Sequence, residues 1–106
     1  MAEIMLSEST QQFLQDPLFG GQNIDTTVRH LLKAEYLRNL SRYRRLDRNL
    51  SQKYGMSFEA FVSSRMVQQK GYTWDVETDA MDWETAISGI KTVERKLAEL
   101  ETADRV

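Results

Sequence analysis

Cysteine is absent from this 106-residue chain, which excludes disulfides, thiolate zinc sites and cysteine nucleophiles together. That fits a reducing, cytoplasmic home. Histidine occurs once, as His30, with no acid or nucleophile beside it in a recognisable catalytic arrangement, so a surface role is expected. Glycine-rich phosphate loops, Gly-x-Ser-x-Gly elbows and metal-ligand spacings are missing as well. The expectation is a protein that is not an enzyme and carries no cofactor or metal. No apolar run approaches the ~20 residues of a membrane span. The opening Met1-Ala2-Glu3 also lacks the basic and apolar regions of a secretory leader.

What remains is one small domain's worth of chain, able to bury only ~60–65% of its extended surface. A core that small favours pairing with another copy or with a partner. The formal net charge of −2 argues against bulk attraction to nucleic acid, although a basic face can exist locally.

Proline too occurs once, as Pro17, just ahead of Gly20-Gly21. It divides residues 1–24, which hold Glu3, Glu8 and Asp16 but no base, from the rest. This segment is expected to be a mobile arm with one short helix capped by Ser7 or Ser9, and 25–106 a single helical domain. No internal repeat or low-complexity tract stands out.

From Asp25, a good N-cap type, Val28, Leu32, Tyr36, Leu40, Tyr43, Leu46, Leu50 and Tyr54 follow the helical period. Gly55 is the expected stop. Ser57 can cap a short helix over about 57–67, with Met56 and Phe61 at staple spacing. After Gly71, the alternation of Tyr72, Trp74 and Val76 with polar residues predicts a brief extended piece, 72–76. A last helix is expected over about 79–103, with acids early and bases late. On it Trp83, Ala86, Ile90, Val93, Leu97 and Leu100 form a heptad stripe, suited to a coiled-coil seam between copies or to packing on the first long helix. Gly89 interrupts that stripe at a cost of ~1 kcal/mol against alanine. The fold expectation is all-α, a long antiparallel helical hairpin of 25–54 and 79–103.

Charge is divided between the two long helices. From Arg29 to Lys53 there are six arginines and two lysines against Glu35 and Asp47. Arg38, Arg42 and Arg45 fall opposite the apolar arc. A solvated face with local ion pairs, such as Arg44 with Asp47, explains them adequately. The preference for arginine also suits forked recognition of carboxylate or phosphate. Conversely Asp75, Glu77, Asp79, Asp82 and Glu84 follow one another with no base among them. A calcium loop counted from Asp75 fails, because its sixth place is Ala80 rather than glycine and its twelfth is Ala86 rather than an acid. These acids are either helix N-terminal charges or, with Tyr72 and Trp74, an interface with aromatic anchors.

Three runs carry a resemblance: Arg42-Tyr43-Arg44-Arg45-Leu46-Asp47-Arg48, Lys53-Tyr54-Gly55-Met56-Ser57-Phe58-Glu59-Ala60-Phe61, and Gly71-Tyr72-Thr73-Trp74-Asp75-Val76-Glu77-Thr78-Asp79-Ala80-Met81-Asp82-Trp83-Glu84. Over roughly residues 28–100 the chain resembles small helical prokaryotic antitoxin-like proteins. The resemblance implies a protein that sequesters a toxin, often an RNA-cleaving enzyme, by covering its basic substrate surface, and one able to contact promoter DNA. The expected partner surface is Tyr72, Trp74, Asp75, Glu77, Asp79, Asp82 and Glu84. Two other readings stay open: an RNA- or DNA-binding helical module using Arg38, Arg42 and Arg45, and a structural dimer seamed by Trp83, Ile90, Val93, Leu97 and Leu100.

Overall fold

The computed structural model describes residues 4–21 and 23–103. The parts of the expected arm at 1–3 and 22, and of the expected domain at 104–106, lie outside the described residues. Every regular element among the described residues is helical, so the chain is all-α. Two compact units divide it, Met1–Glu35 and Tyr36–Val106.

Within the first unit, α1 (Glu8–Leu14) starts where the Ser7 hydroxyl accepts the Thr10 N–H at 3.1 Å, the usual N-cap bond. Asp16 caps a single 3-10 turn, Pro17–Phe19, by accepting the Leu18 N–H at 2.8 Å. Among the described residues of this unit Leu14 and Thr27 are the buried side chains, and none of the described residues pairs with the Thr27 hydroxyl. Ile4, Met5, Phe13 and Leu18 are largely exposed.

The first long helix, α2, runs Ile24–Tyr54. Its cap is not Asp25. Asn23 accepts the Thr26 N–H at 2.8 Å, while Asp25 sits in the first turn and pairs with Arg29 at 3.1 Å. The helix ends at Gly55, where φ is +66° and the Met56 N–H reaches back to the Ser51 carbonyl at 3.2 Å. That is the left-handed C-terminal closure in which glycine avoids a Cβ clash.

The expected helix over 57–67 is two helices, α3 (Phe58–Ser63), capped by Ser57, and α4 (Met66–Gln69). Arg65 breaks them apart by taking φ +54° in the left-handed region, where a side chain is strained. The extended piece 72–76 does not form: α5 runs Trp74–Ala103, starting about five residues earlier than expected. Residues two apart lie ~200° apart on a helix, so Trp74 and Val76 take opposite sides of α5 instead of sharing the face a strand would give them. Burial decides for the helix, because Val76 joins Trp83 in the core only when both lie on one helical face.

That core belongs to the second unit. Leu50, Phe61, Val76 and Trp83 are buried together, with Leu46, Tyr54, Met56, Phe58, Met66, Val67, Ala80 and Ile87 packed around them. Trp83 is fully buried among rings, its centroid 5.1 Å from Phe61, 5.4 Å from Phe58 and 6.1 Å from Tyr54. Its indole N–H donates to Asp47 at 2.8 Å, so the polar edge of the buried ring is satisfied. α2 and α5 pack together. Asp79 meets Lys53 and Tyr54, Asp47 meets Trp83, Tyr43 meets Gly89, and Arg44 meets Glu94. The expected Arg44–Asp47 pair gives way to these two contacts across the helices.

Candidate functional site

α5 sorts its residues by rotation. Val76, Trp83, Ala86 and Val93 turn inward and are buried, whereas Trp74, 81% exposed, and Met81, 69% exposed, turn outward. The same helical period that fills the core therefore leaves two large apolar side chains in solvent, although burying either would release ~1.5–3 kcal/mol. Asp75, Glu77, Asp82 and Glu84 are all exposed around them. Tyr72 is 59% exposed just ahead of the helix. It too is held in the left-handed region, at φ +57°, its N–H bonded to the Val67 carbonyl at 2.9 Å.

Asp79 does not belong to that surface. It accepts from the Lys53 ammonium and from the Tyr54 hydroxyl at 2.6 Å each, with its side chain 19% exposed. Partial desolvation pushes its carboxyl up. The hydrogen bonds from Lys53 and Tyr54, together with the Lys53 charge, outweigh this and hold it below the usual carboxylate range. The same cluster pushes Tyr54 up to about 12, through desolvation first and then the bond to Asp79 and the charges of Asp79 and Asp75. Lys53 is raised by its bond to Asp79, against some desolvation, and by the charges of Asp79 and Asp75. Asp79 is thus a tie between α2 and α5, a role that sequence spacing alone does not reveal.

Comparison with protein-family models, curated proteins and solved structures found no match.

Of the seven residues expected to bind a partner, six stand on the exposed side: Tyr72, Trp74, Asp75, Glu77, Asp82 and Glu84. Beside them a groove of about 280 Å³ runs between α3, α4 and α5, lined in part by Phe58, Val62, Met66, Ala80, Met81 and Glu84. A more open hollow of about 570 Å³ on the other side of Met81 is lined in part by Tyr43, Thr85, Ser88 and Gly89. Sequence reasoning missed Met81 and Val62, whose side chains are 69% and 57% exposed. It also missed a repeat, Trp74-Asp75-Val76-Glu77-Thr78 against Met81-Asp82-Trp83-Glu84-Thr85. Comparing the segment with itself at a seven-residue shift reveals it.

Arg38, Arg42 and Arg45 are exposed on α2, with Arg42 donating to Asn39 at 2.6 Å. On the expected dimer seam, Trp83 and Val93 are buried within the single chain and Ile90, Leu97 and Leu100 are half-buried. Trp83 is accordingly not open to a second copy. Among the described residues no helix is long and apolar enough to cross a membrane, and no group of three or more acids and histidines is placed to hold a metal ion.

Proposed function

We propose that this chain is a non-enzymatic, antitoxin-like interaction protein of the cytoplasm that binds and neutralises a basic partner, such as an RNA-cleaving toxin, through Tyr72, Trp74, Asp75, Glu77, Asp82 and Glu84. The observation that carries the reading is Trp74, 81% exposed amid four exposed carboxylates. A solvated tryptophan ringed by acids has the composition of an interface hot spot with a charged rim. Helix-end electrostatics account for Asp75 and Glu77, which lie in the first turn of α5, but not for Asp82 and Glu84 farther along, since that effect fades within one turn. The platform is α2 and α5 as an antiparallel hairpin, a reading supported by the opposite order in which their contacts run.

The test is recovery of bound protein and nucleic acid on the tagged chain from its host, at low and moderate salt, followed by titration of the recovered partner. Stoichiometric retention of a basic protein, with affinity lowered by ~2 kcal/mol or more in Trp74→Ala, supports the reading. Unchanged affinity in that variant sinks it. The exposed Arg38, Arg42 and Arg45 favour a second reading, a nucleic-acid-binding module, for which salt-sensitive nucleic acid alone would be recovered.

A further inference from the structure

Trp74 and Met81 open the two copies of the repeat, and the repeat's buried middle residues, Val76 at 8% and Trp83 at 0% exposure, fix its rotation. Seven residues advance a helix by ~10.5 Å and return nearly to the same side. Trp74 and Met81 therefore form one exposed apolar line along α5, with Asp75 and Asp82 on one flank and Glu77 and Glu84 on the other. None of these four carboxylates makes an ion pair or side-chain hydrogen bond among the described residues. On the same helix Asp79 pairs with Lys53, Glu94 with Arg44, and Glu99 with Arg95 and Lys96. Asp75 feels the charge of Lys53 without contacting it, and the other three carboxylates likewise have no contact partner among the described residues where the apolar line is uncovered.

We infer that this line is the docking face for a basic amphipathic helix of a partner protein, one whose apolar residues recur at the heptad interval with Lys or Arg on both sides. The inference rests on the proposed function and specifies the element bound. Interval and charge each narrow the occupant. Apolar anchors ~10.5 Å apart match a helix, whereas same-face residues of a strand recur every ~6.8 Å and cannot stay in step. Four exposed carboxylates without a contact ion pair among the described residues repel nucleic acid and attract cationic flanks. The groove of about 280 Å³ beside Met81 offers Phe58, Val62 and Met66 to an apolar side chain of that helix, the usual way an amphipathic helix is held.

The full chain is titrated with two peptides of about three heptads and identical basic composition, one with leucines at heptad spacing and one shuffled to break the spacing. Acrylamide quenching reports Trp74 selectively, because Trp83 is fully buried. The patterned peptide is expected to bind about tenfold tighter or more, to shield Trp74, and to lose both effects in Met81→Asp, a change at a 69% exposed position whose fold is checked by an unchanged circular-dichroism melt. Equal binding of the two peptides overturns the helix inference while leaving a basic partner in place. Binding of neither overturns both. A free protein that already shields Trp74 and has the mass of a dimer assigns the face to a second copy, which also overturns the inference.

Discussion

Two tryptophans on one helix meet opposite environments, and their substitutions should separate accordingly. Trp83→Phe keeps a ring among Phe58, Phe61 and Tyr54 but leaves Asp47 without its 2.8 Å donor. A cost of ~2 kcal/mol in urea unfolding is expected from the lost bond to a charged acceptor, whereas Trp74→Ala should stay within ~0.5 kcal/mol. Asp79 couples stability to pH in two windows. Its depressed pKa makes its contribution complete above the unfolded value of ~3.9, and the contribution is lost as pH falls through the lower folded value. Tyr54, raised from 10.0 to about 12, contributes stability that is whole below about pH 10 and lost between about pH 10 and 12. Chemical unfolding across pH should therefore show an acid limb that flattens in Asp79→Asn, and an alkaline limb that shrinks in both Asp79→Asn and Tyr54→Phe.

The elements are set as much by their joints as by their lengths. Gly55 and Gly71 take left-handed conformations that suit glycine, but Arg65, with φ +54°, closes α3 where glycine is the usual choice. Arg65→Gly should relieve ~1–2 kcal/mol of backbone strain and lose ~0.5–1 kcal/mol to the freer unfolded chain. A melting temperature equal to or above the parent's is expected, and a clear drop would show that the arginine side chain holds the joint. Gly89 matters for a different reason. A Cβ there would lie 2.5 Å from the Tyr43 ring, so the tyrosine must leave the α5 backbone. Helix propensity favours alanine by ~1 kcal/mol, yet Gly89→Ala is expected to destabilise. In a Tyr43→Ala background the same change should stabilise, and reversal of sign in that cycle is the measurement.

For the whole molecule, every member of the aromatic core lies within Tyr36–Val106, so residues 36–106 expressed alone should keep a cooperative thermal transition by circular dichroism. A gradual melt would place essential packing in 1–35. Much of the architecture was legible beforehand because it is local. The 3.6-residue period of Leu40, Leu46, Leu50 and Tyr54, the Ser57 cap and the Gly55 stop act over a few residues, and each is where the chain indicates. The start of α5 was not, since Tyr72, Trp74 and Val76 alternate as in a strand, whereas Tyr72 lies ahead of the helix and Trp74 and Val76 take opposite sides of it, Val76 joining Trp83 and Leu50 in the core. The candidate site divides the same way. Its acids and aromatics were visible as composition, but rotation of α5 about a buried Trp83 decided that Trp74 and Met81 face solvent together and that Asp79 turns back to Lys53 and Tyr54. Local periods and caps determine which residues are helical, because they depend on near neighbours. Where α5 begins, and which of its acids turn back to α2 rather than outward, was decided only by tertiary packing, because burial is a property of the surfaces that meet.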